Sequence, residues 1–371
     1  MNSPVAIYVH VPFCPSKCGY CDFNSYALAG DIVGRTVEAM LAEIRRSPWR
    51  GRPAKTIFFG GGTPTFLDAD CLTALLDAVV EAHPPIEGAE ITSEANPGTV
   101  DQEKFRAMTR AGFNRISLGA QSFVPEDLLR LGRVHGAADV GHAVRAAREA
   151  GFANLNLDLM FGLPGQSSRA WRQNLDLALS LKPEHLSLYC LTIEPDTRFA
   201  RLDRRGMLDL PDEDAQVEFY DLAVACTGNA GYEAYEISNF AKPGYECRHN
   251  LCYWRGEEYL AYGPGAVGCF AEPAGLRTRY TNQKHPERYC EAIESAGDLW
   301  CASESLDEGV LRTERIMLGL RLREGIDHLP SLDPHALASL RSRGWLEPEG
   351  ARLRLTPAGR HFCTEVAAAL I

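Results

Sequence analysis

The stretch Cys14-Pro-Ser-Lys-Cys18-Gly-Tyr-Cys21 determines how the chain is interpreted. It places three thiols in the spacing C-x3-C-x2-C, directly after an apolar, strand-like run at 6–11. Thiolates are the usual ligands of iron–sulfur clusters, and a short loop can direct three of them toward one face of a cube. Three cysteines would leave one iron of a [4Fe–4S] cluster open for a reactant, as in catalytic metal sites. Zinc is the alternative, but the residues that follow, Asp22-Phe-Asn24, include no fourth Cys or His.

Apolar runs that are typical of buried strands alternate with amphipathic helical patterns in the first part of the chain. The predicted strands lie at 6–11, 56–59, 89–94, 115–119, 154–160 and 185–191. The predicted helices lie at 32–46, 71–83, 101–111, 137–150 and 170–181. Strands that are apolar on both faces and alternate with helices indicate a parallel sheet covered by helices. The pattern predicts an α/β fold, a partial (βα)6 TIM-like barrel, with reactive residues at the carboxyl ends of its strands.

Glycine and polar residues occur where the predicted strands end. Gly60-Gly-Gly-Thr63 follows the second strand, and glycines let the backbone approach a ligand, although a plain turn is the alternative. Glu94 ends the third strand, where a lone Glu is often a helix cap or a solvated residue. Asp158 interrupts the apolar fifth strand. Because a buried carboxylate is costly unless it is paired, Asp158 is expected to reach a ligand hydroxyl or Arg133.

The cysteine motif after a strand resembles the radical S-adenosylmethionine (SAM) superfamily. The surrounding sequence, Tyr8-Val-His-Val-Pro-Phe-Cys14 and Cys21-Asp-Phe-Asn-Ser25, resembles the oxygen-independent coproporphyrinogen III oxidase-like branch. The resemblance implies that Cys14, Cys18 and Cys21 hold a [4Fe–4S] cluster. It also implies that SAM chelates the open iron and is cleaved to a 5′-deoxyadenosyl radical, while the protein orients the reactants and excludes water.

The resemblance further implies which residues contact SAM. The methionine end is expected at the glycine-rich turn and a strand-end carboxylate. The nucleoside, or a second SAM molecule, is expected at Gln121, Arg133 and Asp158. The complete set of expected contacts is Tyr8, Tyr20, Gly61, Gly62, Thr63, Glu94, Gln121, Arg133 and Asp158.

A second informative stretch is Cys247-Arg-His-Asn-Leu-Cys-Tyr-Trp254. A His beside aromatic residues can ligate haem iron, with the rings packed on the porphyrin face. The alternatives are a histidine satisfied by local hydrogen bonds and a metal clip of Cys247, His249 and Cys252. The H-N-x-x-Y-W pattern resembles the haem-chaperone members of the family. That resemblance implies haem contacts at His249, Tyr253 and Trp254.

The chain is interpreted as three regions. Residues 1–200 are predicted to form the cluster-binding partial barrel, 201–306 to close it and contact haem or substrate, and 307–371 to form a winged-helix-like cap. In the second region Gly263-Pro-Gly-Ala-Val-Gly268 replaces the G-x-G-A-H-S pattern of related proteins. Since Val267 and Gly268 stand where His and Ser are usual, only backbone proximity to SAM is expected there.

Composition restricts the class of protein and its partners. The 371 residues are 45% hydrophobic and 23% charged, and the formal net charge is −11, which disfavours nucleic acid as a partner. The start of the chain has no secretory signal pattern, and no long apolar run predicts a membrane span. The 12 cysteines are therefore interpreted as cytosolic thiols, and a cytoplasmic protein is expected.

Two functions are compatible with the sequence. The favoured one is a haem chaperone that binds haem, the cluster and SAM and delivers haem to respiratory haem proteins. Its further partners would be a reductant such as flavodoxin or ferredoxin and, through membrane-bound acceptors, the membrane surface. The alternative is an oxygen-independent coproporphyrinogen III oxidase, which forms protoporphyrinogen IX by radical oxidative decarboxylation.

Three features favour the chaperone. Only 13 residues precede Cys14, whereas the oxidases carry a longer arm. Phe23 stands where the oxidases have a fourth cysteine, and the third feature is the H-N-x-x-Y-W stretch. Gln121, Arg133 and Asp158 would serve radical chemistry, yet they are equally explained as SAM contacts. Little or no protoporphyrinogen formation is therefore predicted.

Overall fold

Six parallel strands, adjacent in chain order, form the centre of a twelve-stranded sheet. The computed structural model describes residues 3–272, 275–329 and 332–371. The central strands are β1 (Val5–Val11), β2 (Ala54–Gly61), β3 (Pro85–Ala95), β4 (Arg115–Gln121), β5 (Asn154–Phe161) and β6 (His185–Cys190). Each coincides with a predicted strand.

Helices follow these strands and cover one face of the sheet. They are α1 (Asp31–Arg45), α2 (Ala69–Ala82), α3 (Gln102–Ala111), α4 (Pro125–Leu131), α5 (Ala137–Glu149) and α6 (Ser168–Ser180). Only the short α4 was not predicted. In β1 the residues of one face, Val5, Ile7, Val9 and Val11, are fully buried in the main core.

The sequence pattern predicted strands that are apolar on both faces, and this prediction was wrong. One face of the central strands carries polar residues. The residues between the core positions include Glu90 and Glu94 in β3, Arg115 in β4 and Asn156 and Asp158 in β5. These side chains belong to the inner face of the partial barrel, where Asn156 and Asp158 of β5 bond to each other and to Ser117 of β4. The polar inner face is what creates a site.

The chain then extends the sheet at both edges. The elements after β6 are α7 (Arg198–Asp203), α8 (Glu213–Asn229), β7 (Glu233–Ala234), β8 (Asn239–Ala241) and α9 (Arg248–Trp254). They are followed by β9 (Tyr259–Tyr262), β10 (Val267–Ala271), β11 (Arg277–Asn282), α10 (Pro286–Glu294) and β12 (Trp300–Leu306). β9 pairs with β1 in parallel, and β10, β11 and β12 continue antiparallel. Because the described strands end at β12 on one side and β7 on the other, the barrel is open.

The last part of the chain has a hydrophobic cluster of its own. It contains α11 (Glu308–Gly319), β13 (Ile326–Asp327), α12 (Pro334–Ser342), β14 (Leu346–Glu349), β15 (Arg352–Leu355) and α13 (Cys363–Leu370). The three strands form an antiparallel sheet, and side chains such as Ile316, Leu353 and Val366 pack between it and the helices. The α/β partial barrel with a helical, winged-helix-like C-terminal region is thus confirmed. The division at residues 200 and 306 stays a prediction.

The C-terminal region contacts the barrel near β7 and α9. The Arg321 guanidinium lies 3.4 Å from the buried Glu236 carboxylate and 4.6 Å from the centre of the Trp254 ring. The amide of Arg323 donates to the carbonyl oxygen of Tyr235 at 2.9 Å. Among the described helices, none is both long and apolar enough to cross a bilayer.

Candidate functional site

A cavity of about 360 Å³ opens at the carboxyl ends of the central strands, and the cysteine loop forms one wall of it. The loop joins β1 to α1, and all three of its cysteines line the cavity. Its two ends are held together because the Cys14 amide donates to the Tyr26 carbonyl and the Tyr26 amide donates to the Pro12 carbonyl. At its middle, the Gly19 amide donates to the Leu131 carbonyl at the end of α4.

The surroundings of the sulfur atoms suit thiolate ligands. The Thr63 hydroxyl lies 3.5 Å from the Cys14 sulfur, and Nη1 of Arg133 lies 3.5 Å from the Cys18 sulfur. Burial raises the pKa of the Cys14 and Cys21 thiols, so their deprotonation requires a compensating positive charge. A bound cluster supplies that charge, since a coordinating metal deprotonates a thiol. The donor set therefore fits an iron–sulfur cluster.

The described residues offer no preformed site for a single zinc ion. Among the described residues, no group of three or more His, Cys, Asp or Glu side chains is arranged to hold a metal ion. A single zinc ion needs its ligands gathered about one point. A cubane cluster instead places its three thiolates at separate corners, which is compatible with three cysteines spread along one wall.

The glycine-rich turn after β2 forms the next wall. A Cβ atom added to Gly62 would come within 2.5 Å of the Phe13 carbonyl oxygen, so only glycine permits the turn to pack against the cysteine loop. Gly61 has a φ of 106°, a conformation that favours glycine. The Thr63 amide donates to the Phe13 carbonyl oxygen at 2.7 Å, and this bond fixes the glycine-rich turn to the cysteine loop. Gly61, Gly62 and Thr63 all line the cavity.

Polar and charged side chains from the ends of β3, β4 and β5, together with Arg133 in the segment after α4, complete the cavity. Burial, and secondarily the neighbouring Asp158, raise the pKa of Glu94 to about 8. Gln121 has a φ of 63°, a strained conformation for a residue other than glycine, and it lines the cavity at the end of β4. Nη2 of Arg133 donates to the Gly119 carbonyl at 2.9 Å, while the buried Nε of Arg133 has no partner among the described residues. Because the rest of this guanidinium reaches the cavity, its unpaired donor is available to a bound ligand.

Asp158 is held by a network rather than by Arg133, and the described residues contain no ion pair between the two. Its carboxylate accepts hydrogen bonds from Asn156 Nδ2 at 2.7 Å and from the Ser117 hydroxyl at 3.0 Å. The Asn156 amide oxygen lies 2.6 Å from Nδ1 of the buried His185, whose Nε2 lies 2.9 Å from the Tyr235 hydroxyl. These bonds orient a carboxylate that lines the cavity.

Most of the predicted SAM contacts are therefore brought together with the cysteines. The cavity-lining members are Tyr20, Gly61, Gly62, Thr63, Glu94, Gln121, Arg133 and Asp158. The sequence analysis missed other lining residues, notably Ser117, Lys17 and Tyr189. The two-residue period of a strand could have identified Ser117, because it lies on the same face of β4 as Gly119.

Tyr8 is the exception among the predicted contacts. Its hydroxyl lies 3.0 Å from Nδ1 of His10, and its ring stacks on Phe58 below the cavity. Nε2 of His10 in turn contacts the carbonyl oxygen of Asn24 at 2.9 Å. Because that oxygen can only accept, Nε2 carries the proton and Nδ1 accepts from Tyr8. In this geometry Tyr8 supports the cysteine loop and does not line the cavity.

The turn at 263–268 also lies behind the loop and is not among the cavity-lining residues. A Cβ atom on Gly265, whose φ is 74°, would come within 2.1 Å of Asn24 Nδ2. The same Nδ2 donates to the Pro264 carbonyl at 3.0 Å. The turn therefore fixes the end of the cysteine loop.

Comparison with known proteins agrees with this geometry. The sequence matches the Radical SAM superfamily over residues 8–178 and the HemN C-terminal domain over residues 306–362. It is 44% identical to "Heme chaperone HemW" of Escherichia coli K12 over 301 residues, which cover 80% of this chain and 79% of that protein. It is 38% identical to the Mycobacterium tuberculosis H37Rv protein of the same name, over 100% of this chain and 95% of that one. The chain belongs to the HemW family of radical SAM proteins.

A solved structure shows the same fold. The E. coli coproporphyrinogen III oxidase HemN, described as a radical SAM enzyme, superposes with a TM-score of 0.85. The superposition covers 100% of this chain and 90% of that one, at 23% identity. At that identity the likeness concerns the fold alone.

The H-N-x-x-Y-W stretch forms α9, away from the cavity. His249 is 1% exposed, and its Nδ1 and Nε2 lie 2.8 Å from the Thr56 hydroxyl and 3.0 Å from the Tyr253 hydroxyl. Its ring stacks on Phe58, with 5.0 Å between ring centres. Burial lowers the pKa of His249 to about 3, so the ring is neutral. Neither the cavity nor solvent reaches this histidine, and the geometry matches a histidine satisfied by local hydrogen bonds.

The three side chains of the possible metal clip point to different partners. The Cys247 sulfur lies 3.6 Å from the Glu90 carboxylate, whereas the Cys252 sulfur lies 3.1 Å from the Arg248 carbonyl oxygen. Burial raises the pKa of Cys247 to about 12 and that of Cys252 to about 11. Both remain thiols at neutral pH and are poor metal ligands in this state.

Proposed function

We propose that this protein is a radical SAM haem chaperone, which binds haem together with a [4Fe–4S] cluster and SAM and passes haem to respiratory haem proteins. The observation that carries the proposal is the similarity, over nearly the whole chain, to relatives named heme chaperone HemW. The cavity supports it, because three thiols and eight predicted SAM contacts line one space.

The residues of this chain divide the work of binding. Cys14, Cys18 and Cys21 would hold three irons, and Glu94 would receive the amino group of SAM. Asp158, oriented by Asn156 and Ser117, would accept from the ribose hydroxyls. When bound, the cluster and SAM supply one-electron chemistry, and the chain positions them and excludes water.

Phe23 supports the chaperone over the oxidase. Its side chain is 63% exposed and lines the cavity at the position where the oxidases carry a further cysteine. The strongest support for the oxidase is that Gln121, Arg133 and Asp158 all face the same cavity. Both functions need SAM, so the residues that bind it do not distinguish them.

The decisive experiment measures haem binding and transfer on one hand and protoporphyrinogen IX formation on the other. Anaerobic protein with a reconstituted cluster is incubated with SAM, a reductant and coproporphyrinogen III, and separately titrated with haemin and mixed with a haem-depleted respiratory protein. We expect stable haemin binding, transfer to the acceptor and no divinyl product. Formation of protoporphyrinogen IX at enzymatic rates, or failure to bind haemin, would overturn the proposal. The electron donor, the acceptor, membrane-surface association and a cytoplasmic location stay predictions.

A further inference from the structure

An exposed apolar rim surrounds the mouth of the cavity. Phe23, Val134 and Tyr189 line the cavity and are 63%, 60% and 40% exposed. They come from three separate segments: the cysteine loop, the residues after α4 and the end of β6. Single exposed apolar residues are ordinary, but several that converge on one opening mark a binding surface.

A cationic group, the Lys17 ammonium, lies beside this rim. The Lys17 ammonium, also in the cavity wall, donates to the carbonyl oxygens of Phe23 and Ser25, each at 3.2 Å. Within the described part of the chain Lys17 forms no ion pair. An apolar, partly aromatic rim with a free positive charge complements a flat apolar ring that carries carboxylates.

We propose that this rim, defined by Phe23, Val134 and Tyr189, is the haem-binding surface. The porphyrin lies across the mouth and directs its propionates toward Lys17. This inference rests on the proposed chaperone function and adds the location of the cargo. The cavity of about 360 Å³ must already hold the cluster and SAM, so haem covers the opening rather than entering it.

The second large cavity, of about 420 Å³ beside α9, is a poorer match. Its lining contains no aromatic residue, and two of its cations are paired, Lys55 with Glu257 and Arg255 with Glu324. The histidine of α9 is buried with both ring nitrogens hydrogen-bonded. Arg248 also lines this cavity without an ion pair among the described residues, donating to the carbonyl oxygens of Lys55 and Gly88. The cavity therefore offers a cation but no aromatic ring for the porphyrin face, and the histidine beside it is not accessible as a ligand.

The test is a haemin titration of reconstituted protein, followed by Soret absorbance. The rim variants are Phe23→Ser, Val134→Glu and their combination, and Leu177→Glu is the control. Leu177 is 39% exposed on α6 and does not line the cavity, so it matches Val134 in chemistry but not in location. We expect the double variant to weaken haemin binding by about tenfold or more, since each side chain loses apolar burial. The control should stay within about twofold, because an exposed substitution away from the site has little effect.

A second measurement tests location independently of affinity. If haem covers the mouth, bound haemin should slow the release of labelled SAM from the wild type and the Leu177→Glu variant, but not from the double variant. Iron content and SAM affinity without haemin verify that each variant keeps its cofactors. Equal haemin affinity in the rim and control variants, with SAM release unaffected, would overturn the rim assignment while the chaperone function stands. Failure of the wild type to bind haemin would overturn both.

Discussion

The two ends of the barrel are built from similar residue types and have opposite character. At the carboxyl end, cysteines, carboxylates and an arginine line an open cavity, and the buried Nε of Arg133 has no partner among the described residues. At the amino end, which we call the floor and define by Thr56, Glu90, Phe58, Tyr235 and α9, the polar side chains largely satisfy one another. The difference teaches that ligand-binding residue types predict a site where their side chains line one open space together, as they do beside the cysteines.

The floor also joins the barrel to the C-terminal region. The Glu90 carboxylate accepts from the backbone amides of Arg248 and His249, which fixes the start of α9. At the other end of α9, Trp254 packs against the Arg321 guanidinium. We therefore infer that the H-N-x-x-Y-W stretch has a structural role: it connects the barrel to the C-terminal region.

The largest expected effect is at the cavity. Replacing Cys14, Cys18 and Cys21 with alanine should reduce bound iron from about four per chain to background and abolish the brown absorbance. Cys71→Ala is the control, because this thiol lies on α2, away from the cavity. Iron and absorbance are measured after anaerobic purification. Retention of both by the triple variant would remove the basis for every proposal about the cavity.

The next largest effect is expected at the floor, where a substitution should lower the free energy of unfolding without changing haemin affinity. His249→Ala removes a buried ring and leaves Thr56 and Tyr253 without their partner, so we expect about 2–4 kcal/mol less stability. Urea unfolding measures the loss, with the exposed His142 changed to Ala as the control. Haemin affinity should not change in either variant. A stable His249→Ala protein that no longer binds haemin would instead make His249 a haem ligand.

The central strands and the strand-end residues could be predicted because both follow from local patterns. Parallel strands in chain order bring their carboxyl ends to one edge, so Glu94, Gln121 and Asp158 had to lie near the cysteine loop. The direction of Tyr8 could not be predicted, since its partner His10 points to the loop behind the cavity. A pattern of residue types does not show which neighbour a hydroxyl selects.

The burial of His249 could not be predicted from the sequence for a different reason. Its partner Thr56 lies 193 residues earlier in the chain, and only the tertiary fold brings them together. The same holds for the polar inner face of the strands. Glu90 and Arg115 interrupt apolar runs, but nothing local shows that they face a partly open barrel.

The third prediction uses pH to distinguish the two ends. Because burial raises the pKa of Glu94 to about 8, the folded, cofactor-free cavity favours the protonated acid, and SAM requires the ionised form. Affinity for SAM should therefore rise with pH, by about 15-fold between pH 6.5 and 8. Calorimetry on wild type and Glu94→Gln measures the difference, and the variant should lack this component. Identical pH profiles would show that Glu94 does not bind SAM. The neutral His249, with its pKa lowered to about 3, should add no pH dependence in this range.

The smallest expected effect tests whether the ends are independent. Tyr235 belongs to the floor, yet its hydroxyl begins a chain of hydrogen bonds that reaches the cavity. The chain passes from Tyr235 to His185, then to Asn156, and ends at Asp158. Tyr235→Phe leaves Nε2 of His185 buried without a donor, which should cost about 1–2 kcal/mol of stability. SAM affinity should change by no more than about threefold, because Asn156 and Ser117 still hold Asp158. Tyr232→Phe, which removes a buried hydroxyl bonded to the Pro183 carbonyl, is the matched control. If Tyr235→Phe alone weakened SAM binding by more than about tenfold, the floor would control the cavity, since a change of that size exceeds the contribution of one neutral hydrogen bond.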